Sequence, residues 1–295
     1  MVCCPSCGQD SPLYFRSKDY NRLVTREIFN HYRCTQCRLI FISPLPLNLS
    51  DYYPETYHFA PDAQNHSDGN FSAERFKIEI VQRFIRKGKL LEIGPSYGSF
   101  TQLAKKAGFE VEAIEMDAQC CRYLNETIGV RAFNSSDPIK TMLDLEPYDV
   151  IALWHVIEHL PDPWLTLDTI YARLKPDGIL VLAAPNPDAI QFQILGRYWP
   201  HVDAPRHLTL IPVKLLVGKL KALGMTVELI TTNDKGSIDW NIFGWEFFFA
   251  NLSSQFYLKK ILRRFGRIVG MLFKPIDVIE GKGSAYTVVA RKGAI

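Results

Sequence analysis

The sequence predicts an α/β fold with a mainly parallel sheet covered on both faces, preceded by a small cysteine-bearing module. Three observations carry that reading. From about residue 71 onward, short apolar runs alternate with helix-length segments, the pattern of a parallel sheet whose crossovers are helices. The first of those runs ends in a glycine turn, Glu92-Ile93-Gly94-Pro95-Ser96-Tyr97-Gly98. Ahead of them stand two Cys-x-x-Cys pairs, Cys4 with Cys7 and Cys34 with Cys37.

A chain of 295 residues with 47% hydrophobic content can bury one large core and support a small second unit. The net charge is only +3 and the basic residues are spread along the chain, so composition calls for no nucleic-acid partner. No basic and apolar leader follows Met1, and no apolar run reaches the ~18 residues a spanning helix needs. The expectation is a cytoplasmic protein. In a reducing compartment, seven cysteines with paired spacing point to metal rather than to disulfides.

In each Cys-x-x-Cys turn two thiolates converge, and two such turns make the tetrahedral four-cysteine site that Zn²⁺ favours. Residues 13–32 can form a hairpin that brings the turns together, although the 26 residues between Cys7 and Cys34 exceed the usual ribbon interval. Cys3 adjoins Cys4 and is an alternative ligand. A unit this small cannot sustain a core alone, so a structural zinc should supply much of its folding energy. Residues 1–46 are therefore read as a zinc-binding module. Residues 47–70, rich in Tyr, Pro, Asp, Asn and His, are read as a linker, and 71–295 as the main domain. Cys120 and Cys121 read as buried apolar residues on a helix.

Further strands are expected at 110–114, 148–154, 178–183, 226–231 and 285–290. Ligands on such a sheet bind at the carboxyl ends of the strands. At the first of these ends Gly94 and Gly98 allow a sharp turn and close approach, but Ser96 and Ser99 break the glycine spacing that cradles a pyrophosphate. Glu92 would repel a pyrophosphate and attract a cationic ligand, such as the amino group and sulfonium of S-adenosylmethionine. Twenty-three positions on, the next strand ends in Glu115-Met116-Asp117. The Glu115 carboxylate can accept both hydroxyls of a ribose, and Met116 can pack on an adenine face.

At this point the chain resembles the class I S-adenosylmethionine-dependent methyltransferases, over roughly residues 71–292. Residues 90–98 look like that family's first motif and 113–117 like its second, with Ser96 where the middle glycine commonly sits. Asp149 to Leu160, followed by Leu174-Lys-Pro-Asp-Gly178, is similar to its fourth and fifth strand regions. The resemblance implies a Rossmann-like seven-stranded sheet with an antiparallel last strand at 285–290. It also implies a cofactor site of Glu92, Gly94, Ser96, Gly98, Glu115, Met116 and Trp154. The cysteine module, Ser43-Pro-Leu-Pro46, Ala184-Pro-Asn186 and Pro205-Arg-His-Leu208 look like bacterial methyltransferases of sugar and natural-product pathways, which carry a comparable zinc-binding N-terminus.

His155, Glu158 and His159 directly follow the fourth strand, and a helical turn would place them on one face at i, i+3 and i+4. Histidine is suited to act as general base for methyl transfer to a hydroxyl or an enolisable carbon. Resemblance to ubiquinone-type O-methyltransferases, whose Glu-His pair stands here, assigns His159 as base with Glu158 as its support. His155 and His207 are further candidates. The bland alternative is that these side chains merely fix the turn and help bind S-adenosylmethionine. A third reading is a catalytic metal on His155, Glu158, His159 and His207, whose spacing is ligand-like and whose run is similar to that of the small-RNA 2′-O-methyltransferases, with His155 where those have glutamate. The loop Tyr198-Trp199-Pro200-His201 is placed either to cover a substrate or to be a solvent-exposed turn.

Residues 236–283 form an aromatic, then basic insertion. Leu258, Ile261, Leu262, Phe265, Ile268 and Leu272 recur at helical spacing, with Lys259, Lys260, Arg263, Arg264 and Arg267 on other faces. This is expected to be a packed cap with a solvated face, and a basic amphipathic helix at 256–273 is also suited to an anionic membrane surface. The functional expectation is methyl transfer to oxygen or carbon of a sugar-, polysaccharide-precursor- or natural-product-like acceptor. The competing class is an RNA-directed methyltransferase or a nucleic-acid-binding zinc-ribbon protein, whose binding would weaken steeply with salt.

Overall fold

The computed structural model describes residues 1–54 and 73–294. The expected start of the main domain at Phe71 and most of the expected linker lie outside the described residues.

The N-terminal unit begins with β1 (Val2–Cys3) paired antiparallel to β2 (Asp10–Ser11). β3 (Leu13–Ser17) and β4 (Phe29–Arg33) form the expected hairpin, and β5 (Ile40–Ile42) pairs with β4. Residues Leu49–Tyr52 make a single 3-10 turn, so the expected linker is ordered at its start.

The main domain alternates as its apolar runs require. α1 (Arg75–Gln82) leads into β6 (Lys89–Ile93), α2 (Ser99–Lys106), β7 (Glu110–Glu115), α3 (Ala118–Tyr123), β8 (Arg131–Asn134) and α4 (Pro138–Leu143). Then come β9 (Tyr148–Trp154), α5 (Pro163–Arg173), β10 (Leu174–Pro185) and α6 (Ile190–Leu195). The chain ends with β11 (Thr209–Leu210), α7 (Val213–Ala222), β12 (Met225–Thr231), α8 (Lys235–Ala250), α9 (Phe256–Asp277) and β13 (Ala285–Lys292). Several helix starts are capped as their sequences dictate: Asp117, Asp137, Asp162 and Asp234 each accept backbone N–H groups of the first turn.

Seven strands form one sheet in the order β12-β13-β10-β9-β6-β7-β8. β6 is parallel to β7 and β9, while β13 runs antiparallel between β10 and β12, as the resemblance implied. β8 went unnoticed in the sequence: it has four residues at the sheet edge, none of them buried, so no apolar run marks it. From β6 the chain moves outward to β7 and β8, then returns to β9 on the other side. The carboxyl ends of β6 and β9 therefore flank the topological switch point, where open α/β sheets bind ligands.

Side chains alternate between the two faces. Leu91, Ile93, Ile151 and Leu153 pack on one, and Leu90, Val150, Ala152 and Trp154 on the other, against Val81, Phe100 and Ala104. Cys4, Cys34, Leu39 and Phe41 belong to the first of these cores, so the N-terminal unit is fused to the sheet domain. β11, contributed by the main domain, completes the small sheet by pairing with β5 in the order β11-β5-β4-β3.

Candidate active site

At the switch point, β6 delivers Glu92 and then turns sharply. Gly94 and Gly98 both have left-handed backbones, with φ of 69° and 74°. A Cβ on Gly94 would lie 2.6 Å from Val156, and one on Gly98 would lie 2.5 Å from Leu124, so both turn glycines are required by space as well as by conformation. Ser96 occupies the same region at φ 53°, and its N–H donates to Glu115 Oε2 at 2.8 Å. The glycine turn and the acidic end of β7 are thus joined directly. Glu115 also accepts from the Asp117 N–H at 2.8 Å, and burial pushes its carboxyl up. Each Glu115 oxygen keeps a lone pair for a further donor. Glu92 is buried, accepts from the Thr101 hydroxyl, and is pushed by burial up to about 7, against the pull of Thr101 and Lys77. A bound cation would favour its charged form. Met116 stays exposed at the adjoining edge, free to meet an apolar ligand surface.

One strand over, a cavity of ≈ 340 Å³ opens between α1, α8 and the ends of β9 and β10, lined by Trp154, His155, Trp240, Phe243 and Thr287. Glu92 and Glu115 do not line it. The expected cofactor residues thus occupy the turn beside the cavity, except Trp154, which borders the cavity itself and packs on Phe100 at 5.4 Å with the Lys77 ammonium over its ring.

The histidines after β9 converge differently from the expected helical face. His155 has a left-handed backbone at φ 58°, and only Ile157–His159 form a turn, of 3-10 type. His155 therefore faces the cavity, its ring 4.5 Å from that of Trp240, while His159 points the other way. His159 Nδ1 donates to the Arg206 carbonyl at 3.1 Å, with the Tyr53 hydroxyl 2.9 Å from the same nitrogen. The carbonyl can only accept, so this bond needs the proton on Nδ1 and leaves the lone pair on Nε2, with the Tyr53 hydroxyl accepting; a hydroxyl that donates would reverse the tautomer. Burial holds the imidazole down to about 4, so it is neutral at physiological pH.

Glu158 was expected to support His159; it makes no hydrogen bond to that ring, and its influence is that of a nearby negative charge. Both its oxygens are buried without a hydrogen-bond partner among the described residues, 3.7 Å from His155 Nδ1 and 4.0 Å from His207 Nε2. Burial alone would raise its carboxyl, but the surrounding imidazoles hold it below the ordinary range. His207 donates from Nδ1 to the His201 carbonyl at 2.7 Å and meets the His159 ring edge-on at 4.6 Å. Glu158, His159 and His207 each place one donor atom within 4.8 Å of the others.

His159 is held by the Arg206 backbone, within the Pro205-Arg-His-Leu208 run, and that run is anchored by contacts the sequence did not show. Arg206, fully buried, forks onto Asp203 (2.8 and 2.9 Å) and onto Asp19 (2.6 and 3.2 Å) from the N-terminal unit. Asn21 adds bonds to Asp203 and to the Pro200 carbonyl. In the loop Tyr198-Trp199-Pro200-His201, Tyr198 is exposed while the other three residues are buried, and Trp199 Nε1 donates to Gln191.

The four cysteines meet as expected. Cys4 and Cys37 sulfurs lie 3.5 Å apart, as do Cys7 and Cys34, and all four fall within 4.8 Å of one another. A tetrahedral zinc with Zn–S of about 2.3 Å needs sulfurs ~3.8 Å apart, so the donor set fits that ion. Cys3 is exposed and lies outside the set, which contains Cys4. Gly8 and Arg38, each following a pair, adopt the left-handed backbone that closes the turn.

The sheet order, the glycine turn and the acidic end of the neighbouring strand together define the class I fold of S-adenosylmethionine-dependent methyltransferases. The chain belongs to the methyltransferase-domain family, whose sequence model matches residues 71–230. It is similar to the ubiquinone biosynthesis O-methyltransferase of Actinobacillus pleuropneumoniae serotype 7 (strain AP76), 31% identical over an alignment of 107 residues that covers 33% of this chain and 46% of that protein. The enzyme of the same name from Paramagnetospirillum magneticum is 28% identical over 123 residues, 41% of this chain and 49% of its own. The chain thus spans about half the length of the curated relatives it matches. Among solved structures, a SAM-dependent methyltransferase from Archaeoglobus fulgidus superposes with a TM-score of 0.50 at 18% identity, covering 75% of this chain and 94% of that one, a likeness of fold.

Proposed function

We propose that the chain transfers a methyl group from S-adenosylmethionine to an oxygen of a small-molecule acceptor, with His159 removing the acceptor proton. The observation that carries the reading is the hydrogen bond from Ser96 N–H to Glu115, which locks the glycine turn of β6 to the acidic end of β7 at the switch point. Glu92, the 94–98 turn, Glu115 and Met116 would hold the cofactor, which when bound supplies an electrophilic methyl group. The similarity to ubiquinone biosynthesis O-methyltransferases supports oxygen as the acceptor atom. Sugar-like and natural-product-like hydroxyl compounds remain within the same proposal.

The chain's own part is positioning and proton removal. His159, neutral and with Nδ1–H directed to the Arg206 carbonyl, would offer Nε2 as base, and that carbonyl would stabilise the Nδ1–H as charge develops. His155, Trp240 and Phe243 line the neighbouring cavity, and the acceptor hydroxyl would meet Nε2 of His159 on the other side of the turn after β9, beside His207. The four-cysteine cluster would hold a structural zinc. The test is turnover of a panel of catechols and sugar hydroxyl compounds. His159→Ala should slow it by about 10²–10⁴ while retaining S-adenosylhomocysteine affinity. A variant as active as the parent would remove the base assignment.

One observation favours a second reading. Glu158 buries both oxygens unpartnered among imidazoles, and two of those rings donate their Nδ1–H to backbone carbonyls, an arrangement that suits metal ligands. Under that reading a chelator abolishes turnover and a divalent cation restores it, with the N-terminal zinc followed separately.

A further inference from the structure

α8 and α9 form an antiparallel hairpin beside the cavity, and the way they pack decides which face of α9 is left outside. Gly266 and Gly270, one turn apart, let α9 approach α8 closely: a Cβ on Gly266 would sit 2.5 Å from the Trp245 carbonyl. Leu262, Val269 and Phe273 lie on the same side, so this is the face turned to α8. At 100° per residue, Ile261, Phe265, Ile268 and Leu272 then fall on a separate stripe, and all four are exposed, Ile261 at 62% and Leu272 at 72%. The stripe continues into Leu252 and Tyr257 at the hairpin turn, the latter 81% exposed.

The charges beside that stripe are of one sign. From Phe256 to Asp277 the helix carries Lys259, Lys260, Arg263, Arg264, Arg267 and Lys274, and its single acid, Asp277, is buried. Glu246 of α8 pairs with Arg263 and Arg267. Among the described residues, Lys259, Lys260, Arg264 and Lys274 have no ion-pair partner, and Lys260 and Arg264 border the apolar stripe directly.

We infer that α9 docks the protein onto an anionic phospholipid surface, with Ile261, Phe265, Ile268 and Leu272 entering the boundary between headgroups and acyl chains and the unpaired cations meeting the headgroups. The charge pattern selects this occupant. A second copy stacked on the same stripe would set four unpaired cations against four more, and a free polyanion would leave the apolar stripe in water. Because α8 also lines the cavity, the bound surface would lie beside that opening.

The full chain should sediment with mixed phosphatidylcholine–phosphatidylglycerol vesicles and not with phosphatidylcholine alone. Neutralising Lys259, Lys260, Arg264 and Lys274 to Gln should weaken binding about hundredfold or more. I261S/I268S/L272S, which spares Phe265 and its edge-on contact with Phe249, should abolish binding while S-adenosylhomocysteine affinity and thermal stability stay at parent values. Three results would overturn the inference: no binding to the anionic vesicles, undiminished binding by the serine variant, or a dimer through this stripe in solution that ignores vesicles.

Discussion

Replacing Asp19 with alanine removes one arm of the clamp around Arg206. Both side chains are fully buried, and Asp19 takes two of the guanidinium's N–H groups as well as the backbone N–H of Arg22 and Val24. In the variant, Arg206 keeps Asp203 but leaves donors unpaired away from water. Breaking a buried ion pair by losing one partner costs about 3–5 kcal/mol, a large share of the 5–15 kcal/mol that holds a typical domain. The reference is Glu228→Ala, which breaks the Arg291–Glu228 pair; that pair is about a quarter exposed and worth at most about 1 kcal/mol. Denaturant unfolding measures both. Asp19→Ala should also speed hydrogen exchange at Leu208, whose N–H donates to the Glu158 carbonyl next to the clamp. If Asp19→Ala costs no more than Glu228→Ala, the N-terminal unit is not braced against the active site as described.

Other consequences are narrower. Gly98→Ala should destabilise the fold by about 1–3 kcal/mol, because the new methyl overlaps Leu124 and Ile128 in a backbone conformation alanine disfavours; a neutral result in thermal unfolding would contradict the turn geometry. Protein purified without added zinc should contain about one equivalent, and Cys34→Ser should lose it. Since Cys34 and Phe41 share a core with the sheet, that variant should also lower the melting temperature of the main domain; metal-free protein with an unchanged melting curve would refute this. The pH profile of kcat/KM tests the state of His159. A lowered pKa keeps the imidazole free to accept a proton until the pH falls through about 4, so the acid limb should lie there, not near the ordinary histidine value of about 6.5.

The parts of this structure that a sequence reveals are those governed by local rules. The glycine turn, the acidic strand ends and the cysteine pairs each combine a residue type with a fixed spacing, and each stands where the spacing placed it. The arrangement after β9 obeys no such rule. His155, Glu158 and His159 suit one helical face, but the left-handed backbone at His155 sends it to the cavity and turns His159 toward the N-terminal unit. The Asp19–Arg206 clamp joins residues 187 positions apart; Arg206 stands in a run the sequence marks, but nothing around Asp19 marks its partner. Tyr53 lay in a stretch read as linker because its composition is polar and turn-rich, whereas the contact that orders it is with His159.

The central claim is that Glu92, the 94–98 turn and Glu115 form one cofactor site across the switch point of the sheet. Calorimetric titration of the intact chain with S-adenosylhomocysteine tests it most directly, alongside Glu115→Ala. The account predicts saturable binding by the parent and a loss of about 1.5–3 kcal/mol, roughly tenfold to a hundredfold in affinity, in the variant. A well-folded parent that releases no heat, or a Glu115→Ala protein that binds as tightly as the parent, would contradict it.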